Sequence, residues 1–353
     1  MKKFLLQIFV FSFSASVFAQ DAHFSQFNEQ PALLNPALTG AVASLRCSAV
    51  NRKQWSSLQA PYSTYGVSFG VRSPGRLKRT GKFGRAKKRT PGLLALGIAA
   101  YQDKAGNGRL KTTNGILSLT TFVPAGKRNF FSLGLQAAIV QKQLGGDGLI
   151  YPDQFTGTGY DPGLIPGEQL SGMSFQYTDF AAGFLWSYGS DIKNFLYHQV
   201  TKVRVGFSAY HLTRPARAYF NGSTDLENYR YVFHGELLRD IEGTHIAVEP
   251  SFLYQVQGPA QEISAGGLVK FYNSNDTKIT GYVRRSTFGI GAYYRLLDAV
   301  VLLFQAELEE QYTIGLSYDL NISTLKNFNG KRGGAEVVLR YTPANPYLYQ
   351  RRK

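Results

Sequence analysis

The sequence predicts an all-β fold: a transmembrane antiparallel up-and-down β-barrel of about 14 strands, an even number that leaves both chain ends on one side of a membrane. Three observations predict it. Short stretches repeat a two-residue period, with large apolar or aromatic residues on one parity and Gly, Ser, Thr or charged residues on the other. Composition favours strands, with 25 Phe, 22 Tyr and 37 Gly. After residue 20 no run approaches the roughly 18 uninterrupted apolar residues that a membrane helix needs.

The chain opens with Lys2 and Lys3, the apolar run FLLQIFVFSFSASVF, and Ala19 before Gln20 and Asp21. That layout predicts a signal peptide over residues 1–19, with the mature chain starting at Gln20 or Asp21. The competing membrane anchor meets an apolar middle that is short and broken by Gln7 and by serines. No cysteine sits at the cut, which argues against a lipid anchor there. The single cysteine of the chain, Cys47, has no partner for an internal disulfide and reads as a small buried or lipid-facing residue. The formal charge of +16, two units of it from Lys2 and Lys3, suits an acidic membrane surface or acidic partner. In an exported chain nucleic acid is the least fitting partner, and none is expected.

Residues 20–45 form a polar amino-terminal segment interrupted by Pro31 and Pro36. Fourteen strands enclose more room than eight, which side chains alone can fill, so the segment either enters the lumen as a plug or hangs as a periplasmic tether. Residues 46–342 make the barrel, and residues 343–353, with Pro343 and Pro346, form a tail that cannot extend a strand.

Eight strands are sharp. In Tyr62 to Arg72, Tyr65, Val67, Phe69 and Val71 oppose Thr64, Gly66, Ser68, Gly70 and Arg72. In Gln311 to Leu320, Tyr312, Ile314, Leu316, Tyr318 and Leu320 oppose Thr313, Gly315, Ser317 and Asp319. Asn129 to Gln141, Val203 to Tyr210, Tyr229 to Leu237, Ile263 to Tyr272, Phe288 to Arg295 and Gly334 to Tyr341 repeat the design. Val232, Leu268 and Val338 break it. Weaker strands are Arg46 to Trp55, Leu93 to Tyr101, Thr112 to Val123, Phe175 to Tyr188, Thr244 to Tyr254 and Asp298 to Glu307. Lys278 to Arg285 reads as a separate strand or a lead-in to the next.

A parity of Gly, Ser and Thr cannot fill a core, so it is expected to border space or water. Arg204 and Arg295 fall on that parity, which spares them a lipid-facing cost of roughly 2–4 kcal/mol near mid-bilayer. The competing fold is an exported β-sandwich with the aromatic parity inside. Against it stands length, since roughly 300 residues of hairpin-spaced strands is long for one sandwich. Tyr62, Tyr101, Tyr188, Tyr210, Tyr272 and Tyr341, near strand ends, suit membrane-interface girdles.

Candidate chemistry is thin, and no enzyme activity, cofactor or metal site is expected. Gly66-Val67-Ser68-Phe69-Gly70 matches G-x-S-x-G but lies inside a continuous strand, where the hydrolase elbow needs strand, turn and helix. A lipase reading would pair Ser68 with His211 or His234. The histidines at 23, 198, 211, 234 and 245 show no metal spacing. Asp147, Asp153 and Asp161 among glycines fit no standard calcium loop.

The basic run Arg72, Arg76, Lys78, Arg79, Lys82, Arg85, Lys87, Lys88 and Arg89, with no acidic residue among them, is the candidate partner-binding site. It joins the second and third strands on the periplasmic side, where turns are normally short, and clustered like charge steers a complementary surface. The alternatives are a solvated loop or one lying near anionic headgroups.

HFSQFNEQPALLNPALTG at His23 to Gly40, RKQW at Arg52 to Trp55 followed by PYSTYGVSFG, and IGLSYDLNISTLKNFNGKRGGAEVVLRY at Ile314 to Tyr341 resemble the PorP/SprF family of type IX secretion membrane proteins of Bacteroidetes. Asn35, Pro36, Ala37, Gly40, Trp55, Ser317, Tyr318, Asp319 and Glu336 carry the resemblance. It implies a non-enzymatic outer-membrane barrel of the secretion and gliding machinery, with the periplasmic ring and secreted adhesins or other cargo as partners besides outer-membrane lipid. The function class left beside it is a passive channel for small solutes lined by the polar parity.

Overall fold

A strand with unlike faces is stable in a bilayer only if its backbone groups are all paired, and closing the sheet on itself achieves that. The computed structural model describes residues 21, 23–55, 61–73, 77–80, 86–89, 93–106, 110–126, 128–145, 151–165, 167, 173–193, 198–216, 226–274, 285–323, 330 and 332–343. In chain order the strands are β1 (Leu45–Gln54), β2 (Tyr62–Arg72), β3 (Leu77–Thr80), β4 (Ala86–Arg89), β5 (Leu94–Ala105), β6 (Leu110–Ala125), β7 (Asn129–Leu144), β8 (Met173–Lys193), β9 (His198–Tyr210), β10 (Arg230–Asp240), β11 (Ile246–Gln257), β12 (Ala260–Ser274), β13 (Arg285–Arg295), β14 (Ala299–Leu308), β15 (Tyr312–Asn321) and β16 (Arg332–Tyr341). Fourteen of them form one closed barrel in which each pairs with its neighbour in the chain and β1 closes on β16. Only β3 and β4 stand apart, as a two-stranded hairpin between β2 and β5.

Every stretch read as a strand is a stave of this ring; Lys278 to Arg284 lies outside the described residues, as do the signal peptide and nearly all of the tail. Because the strands alternate in direction, β1 starts and β16 ends at one rim, and the β3–β4 hairpin lies at that same rim. The connections that follow β7, β9 and β15 lie at the other.

The apolar parity faces out. Ile314, Leu316 and Tyr318 are 39, 43 and 41 % exposed, which a sandwich core would not allow. No helix among the described residues is long and apolar enough to cross a membrane.

The inward parity does not border open water as expected. The amino-terminal segment lies inside the ring, with Phe24, Phe27, Ala32, Leu34, Ala37 and Leu38 buried. It comprises a 3-10 turn at Phe27–Glu29, one α-helical turn at Pro31–Leu34 and a second 3-10 turn at Pro36–Leu38. The three residues that break the alternation explain themselves here. Val232 and Leu268 pack in one apolar cluster with Phe27, Leu34 and Leu38. Val338 belongs to a second cluster with Phe24 and Ala32. These inward aliphatic side chains share their clusters with apolar groups of the segment, and full burial of one such side chain is worth about 1.5–3 kcal/mol.

Three of the expected girdle tyrosines are corrected in the same way. Tyr101 and Tyr210 are 3 and 4 % exposed, and their hydroxyls donate to Gln30 Oε1 at 3.2 Å and to the Ala32 carbonyl at 3.4 Å. Tyr272 also turns inward and donates to Asp240 Oδ1 at 2.8 Å. A buried phenol needs a hydrogen-bond partner, and the segment or the inner wall supplies it.

Candidate functional site

An irregular segment inside a barrel has few backbone partners of its own, so the wall must satisfy its amides and carbonyls. Three groups of residues do so. The first holds Asn35-Pro36-Ala37. Asn35 is extended (φ −167°, ψ 121°), which ends the α-turn begun by Pro31, and its Oδ1 accepts from Ala37 N at 2.9 Å, capping the next turn. Its Nδ2 donates to the carbonyls of Phe184 at 3.0 Å and Phe207 at 3.3 Å and faces His234 Nε2 at 3.2 Å. The hydroxyls of Thr120, Ser132 and Ser208 donate to the carbonyls of Pro36, Ala37 and Leu34 at 2.9, 3.0 and 2.8 Å.

The wall leaves a notch for this turn. A Cβ on Gly183 would stand 2.0 Å from Asn35 Oδ1, one on Gly206 2.6 Å from Asn35 Nδ2, and one on Gly134 2.3 Å from the Ala37 nitrogen. Small inward residues on β7, β8 and β9 are thus a seat for backbone. Gly40, where the segment turns to leave the lumen, has φ +71°, and a Cβ there would meet that of Ala95 at 2.4 Å.

The second group is a buried charge cluster. Glu336 accepts two consecutive amides, Ser25 N at 2.8 Å and Gln26 N at 3.0 Å. Arg52 Nη1 donates to Glu336 Oε2 at 3.0 Å and its Nη2 to Asp319 Oδ2 at 2.8 Å. The Ser25 hydroxyl donates to Asp319 Oδ1 at 2.6 Å and accepts from Arg295 Nη2 at 3.0 Å. The Arg52 and Glu336 side chains have no exposure at all, so each charge depends on the others. Nearer the hairpin rim, Glu29 joins Arg46 and Arg340, each at 2.7 Å.

The third group lies at the opposite mouth. Asp21 Oδ2 meets Arg230 Nη1 and His211 Nε2, both at 2.9 Å, and His211 Nδ1 meets Asp179 Oδ2 at 2.9 Å. Burial alone would pull the imidazolium's pKa down, but the two carboxylates outweigh it and push His211 up to about 10. Burial raises Asp21, yet His211, Arg230 and Lys142 hold it well below the usual carboxylate range. Asp21, His211 and Glu227 bring ligand atoms within 4.8 Å of one another, a spacing that a metal could use. Both His211 nitrogens and the Asp21 carboxylate are already engaged, and Arg230 and Lys142 supply the positive charge, Lys142 lying 3.4 Å from Glu227. The arrangement is that of an ion-pair latch.

Of the other residues singled out in the sequence, Ser317 accepts from Gln26 Nε2 at 3.4 Å, Trp55 packs edge-on to Tyr62 at 4.9 Å, and Tyr318 faces outward. Ser68 shares its hydroxyl with Ser48 at 2.7 Å, mid-strand in β2. Asp153 and Asp161 accept from the amides of Gly167 and Gly163, and Asp147 lies outside the described residues. Arg72 sits apart from the rest of the basic run, its guanidinium 3.8 Å over the Phe122 ring and 3.5 Å from the Gly40 carbonyl. Lys78, Arg79, Lys87, Lys88 and Arg89 lie on the β3–β4 hairpin; Arg76, Lys82 and Arg85 lie outside the described residues.

Sequence reasoning missed Asp21, Ser25, Glu29, Arg46, Arg52, Arg340 and the glycine notch as a set. The available signal was the three apolar residues on the small parity, which a water-lined wall would not need.

A family model described as "Type IX secretion system membrane protein PorP/SprF" matches residues 16–341. The chain belongs to that family. As a PorP/SprF barrel it is an outer-membrane protein of a secretion system, and the family's match covers both the lumen segment and the wall that seats it. Among solved structures it is similar to the toluene transporter TbuX of Ralstonia pickettii, at 11% identity and TM-score 0.45 over 88% of this chain and 92% of that one. It is also similar to BamA of Haemophilus ducreyi lacking POTRA domains 1–3, at 10% identity and TM-score 0.40 over 85% and 70%. The β domain of the Bordetella autotransporter BrkA follows at 10% identity and TM-score 0.35 over 85% and 98%. These are loose likenesses, and no role of those proteins passes to the PorP/SprF member. No curated protein matches it.

Proposed function

We propose that this PorP/SprF member is a non-enzymatic, closed barrel that supports export or surface attachment of secreted proteins by presenting its rims to other components, with the amino-terminal segment as a resident plug. The observation that carries the reading is the Asn35-Pro36-Ala37 seat. Residues that the sequence resemblance singles out hold the chain's own segment against the inner wall, where a solute channel would need open, hydrated space.

The partner surface on this reading is the β3–β4 hairpin. Its register sets Lys78 opposite Lys88 and Arg79 opposite Lys87. Like charges directly across a strand pair destabilise it, and an acidic surface relieves that repulsion. An acidic periplasmic component of the machinery is therefore the proposed partner. Replacing Lys78, Arg79, Lys87, Lys88 and Arg89 with Gln and Ser should lower copurification of the periplasmic ring from native membranes and reduce secreted adhesin at the surface. Unchanged recovery and secretion would reject the hairpin as the contact; loss of retention on anionic liposomes alone would assign it to lipid.

A further inference from the structure

The ring is closed where its first and last staves meet, and that seam is short. β1 and β16 pair from Cys47↔Tyr341 to Gln54↔Gly334, whereas β6 and β7 pair along their full length, from Leu110↔Leu144 to Ala125↔Asn129. A short pairing with lipid on one side, a feature this seam shares with β15–β16, is where a barrel opens readily, because few backbone hydrogen bonds must break.

The amino-terminal segment touches this seam at both ends. Near the hairpin rim, the Glu29 carboxylate takes Arg46 of β1 on Oε2 and Arg340 of β16 on Oε1, each at 2.7 Å. Toward the other rim, Ser25 joins Arg52 of β1 to Asp319 of β15, and its amide bonds Glu336 of β16. Arg52 and Glu336 are themselves register partners across the seam. Remove Glu29, and Arg46 loses its carboxylate beside the like-charged Arg340, which keeps Glu307 at 3.6 Å, in surroundings that screen poorly.

We infer that the amino-terminal segment is a staple that holds the β1–β16 seam shut. Barrel closure and seating of the segment are then one event: the segment cannot leave without weakening the seam, and the seam cannot open without releasing the segment.

The chain carries its own test. Cys47 stands directly opposite Tyr341, so Tyr341→Cys offers one cross-seam disulfide at the Cα separation of an antiparallel pair. The full chain is refolded in detergent, and the temperature at which the compact band is lost on gels is read. Glu29→Gln should lower that temperature by several degrees. Glu29→Gln with Tyr341→Cys, oxidised, should recover the wild-type value, and reduction should abolish the recovery. A control bridge between β6 and β7, Leu117→Cys with Ala137→Cys in a Cys47→Ser background, should not rescue Glu29→Gln. An unchanged temperature in Glu29→Gln, or equal rescue by both bridges, would overturn the staple. Hydrogen exchange reads the same question without a disulfide: faster exchange in Glu29→Gln confined to β1 and β16 supports it, and a uniform rise around the ring overturns it.

Discussion

His211 shows how single residues fix the outer end of the segment. A histidine whose pKa rises from 6.5 to about 10 on folding contributes stability that is whole below pH 6.5 and fades as pH climbs toward 10. Asp21, held below its ordinary 3.8, contributes in the opposite sense: fully above that value, and less as the pH falls beneath it. The latch is therefore tight in the mildly acidic range and loosens in alkali. His211→Gln is expected to flatten the fall in unfolding temperature between pH 7 and pH 10; parallel slopes for wild type and variant would contradict the ion-pair assignment. Asn35, Asp319 and Glu336 stood out beforehand only as positions carrying the family resemblance, with no partner or role attached. Ser25 and Glu29 did not stand out. Two of their partners, Asp319 and Arg340, lie 294 and 311 positions away, and nothing local distinguishes a lumen serine from a surface one.

At the scale of elements, the barrel strands were readable because a two-residue period is written locally, and they differ from the reading by a few residues at the ends; the β3–β4 hairpin was not, because the basic run between β2 and β5 carries no such alternation and read as a loop. What the small parity was for was not readable. Gly134, Gly183 and Gly206 look like any strand glycines until the turn at Pro36–Leu38 is packed against β7 and β8. Gly134→Ala puts a methyl 2.3 Å from the backbone nitrogen of Ala37, which cannot swing aside as a side chain can. The expected cost is about 1–3 kcal/mol, taken as displacement of the segment. Increased cleavage of the segment by added protease would report it. Gly115→Ala, with nothing within 4 Å, should behave as wild type. Equal cleavage in both variants would mean that the notch does not hold the segment.

For the whole molecule, the proposed resident plug predicts that the closed ring does not conduct. Purified wild-type barrel in planar bilayers is expected to show no steady ionic current, and deletion of residues 21–40 to produce one. Steady current from the wild type would restore the solute-channel reading. This is also the scale at which the inward charges make sense. Arg52, Arg295 and Arg340 would be costly in a dry interior alone, yet each meets a carboxylate, and the segment supplies Glu29 for one and Ser25 for the others. On the proposed reading the rims are the surfaces left for partners, and the β3–β4 hairpin stands on one of them.

The amino-acid sequence by itself determined the staves and which of their faces meets lipid, because parity is a property of neighbours in the chain. It also indicated, through the family motifs, the compartment and the secretion system. Only the tertiary structure decided what occupies the interior. A glycine that faces water and a glycine that makes room for backbone read alike in one dimension, and they part only when residues hundreds of positions apart are brought within hydrogen-bonding distance.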